Sequence, residues 1–175
     1  MEKLLPTKYI LYHFSSWYQE SVGDIHSNDL SILKTLKLIF LLATVNIDKE
    51  NENLLDFGFK FAAMPYGPVE KDIYDMYKAN VFSNLVGKDG VNFTEIINEN
   101  FELLPQNLKK VIDSNISILK NHNYYLISKP ASYLVDLTHL YNSWENNYKK
   151  ALKQNKFSLD IPNEEIKRDV LYYSL

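Results

Sequence analysis

The chain has 175 residues, 22 acids against 19 lysines and arginines for a formal charge of −3, and 46% hydrophobic residues. A chain this long buries roughly 70% of the surface its unfolded form exposes, so residues 1–175 are expected to fold as one domain without a metal or disulfide staple. The absence of cysteine removes disulfides, cysteine-ligated zinc, iron–sulfur clusters and thiol nucleophiles together, and suits a reducing compartment. The start, Met1-Glu2-Lys3-Leu4-Leu5-Pro6, places an acid and a proline where a signal peptide needs an apolar core. The purest apolar run, Leu38 to Ala43, is far below the roughly 18 residues of a membrane span. A cytoplasmic protein without membrane contact is expected. Arg168 is the single arginine, and asparagine, lysine, isoleucine and tyrosine are abundant, as AT-rich coding produces. An acidic chain almost without arginine is a poor candidate for reading nucleic acid.

The first periodic segment is Leu5 to Ser21, with Ile10, Phe14 and Trp17 on one helical stripe. Ser27-Asn28-Asp29 offers capping side chains for a second helix reaching about Thr44. That helix is apolar on nearly all sides except Lys34 and Lys37 and is expected at the centre of the core. After a polar loop from Asp48 to Asn53, Phe57, Phe59 and Phe61 alternate with period two and suggest a short strand. Pro68 then suits the first position of a helix, with Glu70 and Asp72 at its positive end and Lys78 at its negative end. Its expected buried stripe is Val69, Ile73 and Met76 or Tyr77.

Lys88-Asp89-Gly90 between Val86 and Val91 reads as a hairpin turn, and Asn92 to Ile97 as a strand. Pro105 opens a helix with Leu108, Val111, Ile112, Ile116 and Leu119 on one face, stopping near Asn121-His122-Asn123. Ser128-Lys129-Pro130 starts another, with Leu134, Leu137 and Leu140 inward. Ser143 is a cap for the next, whose inner side is Trp144, Tyr148, Ala151 and Leu152. Pro162-Asn163-Glu164-Glu165 begins a last short helix with Ile166, Val170 and Tyr173 as its stripe. The sum is a mainly α fold, a compact bundle of about seven helices with at most one small β-hairpin or sheet.

A catalytic kit is hard to find. His13 has no second ligand at helical spacing and no HExxH run exists. His26, beside Asp24 and Asp29, and His122, between two asparagines, read as capping residues. His139 follows Thr138 and lies three residues after Asp136, and a structural hydrogen bond is the preferred reading over catalysis. No serine sits in a GxSxG frame and no glycine-rich loop is present to cradle phosphate. No catalytic residue, metal or cofactor is therefore expected. Lys149, Lys150, Lys153 and Lys156 form a basic strip beside Tyr148 and Phe157. A solvated helix face is preferred there over a nucleic-acid or acidic-partner surface, because the chain is acidic. Thirteen tyrosines and two tryptophans fit protein binding best.

Three segments in order resemble the Panacea antitoxin domain, also called SocA-like. They are the lysine-and-leucine helix Leu33 to Ala43; Phe61 to Tyr77, with Tyr66-Gly67-Pro68-Val69 followed by Ile73-Tyr74; and Leu137-Thr138-His139 with Trp144 and Ala151 downstream. The closing Ile161 to Ile166 is similar to the family's final helix start, so the likeness spans about Leu5 to Tyr173. Met64 stands where members often carry Trp, and Ser143 where they carry Pro. The spacing from His139 to Trp144 is about one residue shorter than theirs. The resemblance implies an antitoxin that binds and neutralises a toxin encoded beside it, in a type II toxin–antitoxin or phage-defence setting. One variant of that role is delivery of the toxin to a cytoplasmic protease. Tyr66, Gly67, Pro68, Val69, Tyr74, Thr138, His139 and Trp144 are its signature, as scaffold first and partner contact second. The competing classes are a DNA-binding regulator of its own operon and a small-molecule enzyme.

Overall fold

The computed structural model describes residues 3–47 and 52–170. The first helix, α1 (Leu4–Val22), ends on Gly23 at φ +91°, whose N–H returns to the Gln19 carbonyl. Helix α2 (Ile32–Thr44) starts on Ser31, whose side chain accepts from Lys34 N, and not on the Ser27-Asn28-Asp29 cluster. Asn28 instead staples a distant segment. Its amide accepts from Val91 N at 2.9 Å and donates to Val91 O at 2.8 Å, holding the Lys88-Asp89-Gly90 turn closed at the Val86–Val91 bridge.

Helix α2 runs through the core, packed against the later helices and the sheet. Its orphan C-terminal carbonyls are satisfied from outside the backbone ladder. Asn115 Nδ2 donates to Leu42 O at 3.0 Å and Thr44 Oγ1 to Leu41 O at 3.0 Å. Lys34 and Lys37, expected to be its polar exception, are both fully buried. The helix is too central to leave any side in water.

The phenylalanine alternation is not a strand from Phe57. Asn53 and Asp56 form a reciprocal capping box that coils Leu54–Phe57 into a 3-10 turn, ended by Gly58 at φ +78°. Strand β1 (Phe61–Met64) begins only afterwards and turns through Pro65-Tyr66 into β2 (Gly67–Glu70). Pro68 therefore lies in a strand, and helix α3 (Lys71–Lys78) starts three residues later than expected, on Glu70. That side chain accepts from Ile73 N at 2.8 Å. Of the stripe expected there, Val69 belongs to β2, and Ile73 alone is fully buried on α3.

Asn92 to Ile97 forms a 3-10 turn (Phe93–Glu95) in place of a strand, because Asn92 caps Thr94 N with its side chain. Then come α4 (Gln106–His122), α5 (Ala131–His139), α6 (Asn142–Lys153), β3 (Leu159–Ile161) and α7 (Asn163–Ile166). The described residues thus hold seven helices and a three-stranded antiparallel sheet of order β2-β1-β3. Leu108, Val111, Ile112, Ile116 and Leu119 are all buried on α4, as the periodicity requires. Leu140, Leu152 and Val170 are exposed against expectation. Leu140 lies just past the end of α5, Leu152 in the last turn of α6, and Val170 beyond the one-turn α7. Tyr173 lies outside the described residues.

Ser143 is not the cap of α6 but sits in its first turn, with Tyr141 at the cap position. The capping comes from afar: Asp169 accepts from Ser143 N at 3.0 Å, placing a carboxylate on the positive helix end. Burial pushes the Asp169 carboxyl upward, against the hydrogen bonds from Ser143. Glu165 similarly accepts from Asn147 Nδ2 at 2.6 Å, so the α7 region clamps the start of α6.

Candidate functional site

The β1–β2 hairpin explains why a proline is tolerated in the sheet. Lys71 N donates to Lys60 O at 3.0 Å, and the register pairs Ala62 with Val69 and Met64 with Gly67. Backbone bonds alternate along an antiparallel pair, so Ala63–Pro68 is a non-bonded pair whose backbone groups on β2 point outward. Because β2 is an edge strand, Pro68 loses no ladder bond through its missing N–H. Its carbonyl faces away from β1 and needs a donor.

That donor is Lys37. Its Nζ lies 2.6 Å from Pro68 O, with the side chain wholly buried. Among the described residues no carboxylate comes within 4 Å of it. Desolvation by burial pushes its ammonium down from about 10.5 to about 7. Gly67 shares the space. Its φ is +92°, and a Cβ there would come within 2.7 Å of Thr138 Oγ1 and 3.2 Å of Lys37 Cε. Both backbone conformation and packing demand glycine here.

Two further side chains hold the other hairpin carbonyls. Trp144 Nε1 on α6 donates to Met64 O at 2.9 Å, and the His139 imidazole hydrogen-bonds the Pro65 carbonyl. His139 stacks on Trp144 with centroids 3.8 Å apart and planes 7° from parallel, and Tyr148 stacks on Trp144 at 5.4 Å. Desolvation lowers the His139 pKa, and the nearby Lys37 lowers it further, while Asp136 and the Pro65 carbonyl oppose them. Burial therefore favours the neutral ring. Thr138 makes its hydrogen bond inside its own helix. Its hydroxyl donates to Val135 O within α5 at 3.0 Å, and it meets the hairpin by packing against Gly67.

Lys37, His139 and Trp144 thus pin the carbonyls of Pro68, Pro65 and Met64 from α2, the end of α5 and α6. Between these anchors Tyr66 is left 68% exposed. Of the signature residues, Gly67, Pro68, Thr138, His139 and Trp144 meet here. Val69 is buried on β2 opposite Ala62. Tyr74 takes no part in these bonds; it is half-buried on α3 with Lys78 Nζ 4.8 Å from its ring.

Two contributors were not singled out from the sequence. Lys37 is one, and its signal was a lysine in a helix otherwise apolar on nearly every side. The other is the Lys3–Glu70 pair at the far end of β2. Lys3 Nζ lies 2.9 Å from Glu70 Oε1, 2.8 Å from Gly58 O and 3.9 Å from the Phe59 ring centre.

Elsewhere, His13 Nε2 is 3.0 Å from Asp113 Oδ1, which also accepts from Tyr9 OH at 2.7 Å. Burial lowers the pKa of this imidazole, against the effect of Asp113. Among the described residues, no three histidine, aspartate or glutamate side chains group to hold a metal. Surface clefts of about 490, 460, 430 and 230 Å³ are lined by neither His13 nor His139. No described helix is long and apolar enough to cross a membrane.

The fold is mainly helical, and three of its helices pin one hairpin. The sequence between Leu36 and Glu145 matches the family described as antitoxin SocA-like, Panacea domain, and the chain belongs to that family. The matched span opens one residue before Lys37 and closes one residue after Trp144, so it encloses the whole pinned hairpin. Neither a curated protein nor a solved structure matches the chain.

Proposed function

We propose that residues 1–175 act as one antitoxin domain, neutralising a toxin encoded beside it by direct binding and catalysing no reaction. Membership of the antitoxin family supports this reading. The observation that carries it is the pinned hairpin: three buried or half-buried side chains fix the backbone on either side of an exposed tyrosine. An exposed aromatic on a backbone fixed at both sides has little backbone entropy left to lose on binding, which suits an interface anchor. The regulator reading gains no such support. Lys149 and Lys150, half of the basic strip, lie 2.6 and 3.6 Å from Glu145 and Glu165.

The test is co-expression of the chain with the polypeptide encoded next to it. Expression of that neighbour alone is expected to arrest growth, and the pair to restore growth and co-purify with fixed stoichiometry. A harmless neighbour that fails to co-purify rejects the reading.

A further inference from the structure

Tyr66 is not the only exposed apolar group at its end of the sheet. Leu159 pairs with Ala63, so Phe157, two residues earlier, lies at the same end as the Pro65-Tyr66 turn. Phe157 is 67% exposed. Trp144, whose indole touches the hairpin, is followed at four-residue intervals on α6 by Tyr148, stacked on it, and by Leu152, which is 55% exposed. Side chains four apart share a helix face. The hairpin tip, the start of β3 and one stripe of α6 thus each carry an exposed apolar side chain.

Charge along the segment that joins α6 to β3 is of one sign. From Asn146 to Leu159 the chain has four lysines and no acid, a local reversal in a protein of net charge −3. Lys149, Lys153 and Lys156 are all exposed. Among the described residues no carboxylate lies within 4 Å of Lys153 or Lys156, while Lys149 pairs with Glu145. Exposed apolar groups beside Lys153 and Lys156, which have no carboxylate within 4 Å among the described residues, are complementary to an acidic protein segment with apolar anchors.

We propose that the face formed by Tyr66, Leu152 and Phe157, rimmed by Lys149, Lys153 and Lys156, is where an acidic segment of the toxin docks. This rests on the antitoxin reading. The lysines steer the encounter, and the three apolar side chains hold the complex once formed.

The neighbour-encoded polypeptide is the probe, titrated calorimetrically against the full-length chain and its variants. Tyr66→Ala and the pair Leu152→Ser/Phe157→Ser are each expected to weaken binding by about tenfold or more. Lys153→Glu/Lys156→Glu is expected to weaken it similarly at about 50 mM salt, and to abolish the loss of affinity that the parent chain shows at about 300 mM. Thermal midpoints should stay at the parent value because these side chains are exposed, and Lys88→Glu, on the remote turn, should bind like the parent. If the parent binds and all three variants bind equally well, the face is wrong and the antitoxin reading stands. If the parent does not bind, both fail together. The proposal is also overturned if these variants instead dissociate a dimer of the chain, or abolish binding to a DNA duplex while toxin affinity is kept.

Discussion

Strand β2 carries a buried lysine at each end, and the two are treated differently. At Glu70, Lys3 meets a carboxylate, a carbonyl and an aromatic face, so its charge is compensated inside the protein. At Pro68, Lys37 meets one carbonyl and is driven to titrate near pH 7. Burial disfavours the charge at both positions, but a carboxylate partner opposes it at one alone. The compensated end joins β2 to α3, whereas the uncompensated end lies under the hairpin that presents Tyr66.

Removing the compensation should give the largest effect. Glu70→Gln is expected to cost about 3 to 5 kcal/mol in urea unfolding, since it strands the Lys3 charge in the interior and weakens the cap of α3. The pair Lys3→Met/Glu70→Gln should recover part of that loss, because no unpaired charge remains. A cost below about 1 kcal/mol for Glu70→Gln would erase the distinction between the two ends.

The second effect tests the other lysine through pH. Folded Lys37 releases its proton near pH 7, whereas unfolded Lys37 holds it to about 10.5. Between those values the unfolded chain binds more protons, so stability should rise with pH by up to about 1.4 kcal/mol per unit, roughly 4 kcal/mol from pH 7 to 10. Lys37→Met should remove this rise when the two unfolding free energies are compared across that range. Equal slopes in parent and variant would mean that Lys37 stays charged when folded.

The smallest effect sharpens the packing at the hairpin. Gly67→Ala is expected to cost about 1 to 3 kcal/mol, from the positive φ and the approach to Thr138 Oγ1. Thr138→Ala removes that hydroxyl but not the backbone strain. The double variant should therefore be less costly than the sum by about 0.5 to 1 kcal/mol in a denaturant-based cycle. Strict additivity would show that the Cβ contact is unimportant.

The helical frame was legible because its signals are local: Ile10, Phe14 and Trp17 on α1 and the Leu108 to Leu119 stripe on α4 are read directly from spacing. Pro68 was misplaced for a reason that spacing does not contain. A proline followed by Glu70 and Asp72 is a good helix start, and only the register against β1 shows that it occupies an outward-facing edge position. Lys34 and Lys37 broke the apolar pattern of α2, and their burial depended on partners 5 and 31 residues away. Gly67, Thr138, His139 and Trp144 were recognisable as a signature, but that His139 and Trp144 hold two carbonyls of one hairpin while Thr138 packs on Gly67 is a tertiary fact. Thr138 shows the limit clearly, since its packing against Gly67, 71 residues away, has no signal in local spacing.

The carboxylate that caps α6 comes from Asp169, and the third strand from Leu159–Ile161. During synthesis the hairpin emerges about a hundred residues before its last supports, an interval of roughly 5 to 20 s at ordinary elongation rates. Until then the Tyr66 turn has neither its sheet neighbour nor a capped α6 beneath it. A hairpin held on every side therefore exists only after residues 159–169 have been made, about a hundred residues behind the turn itself.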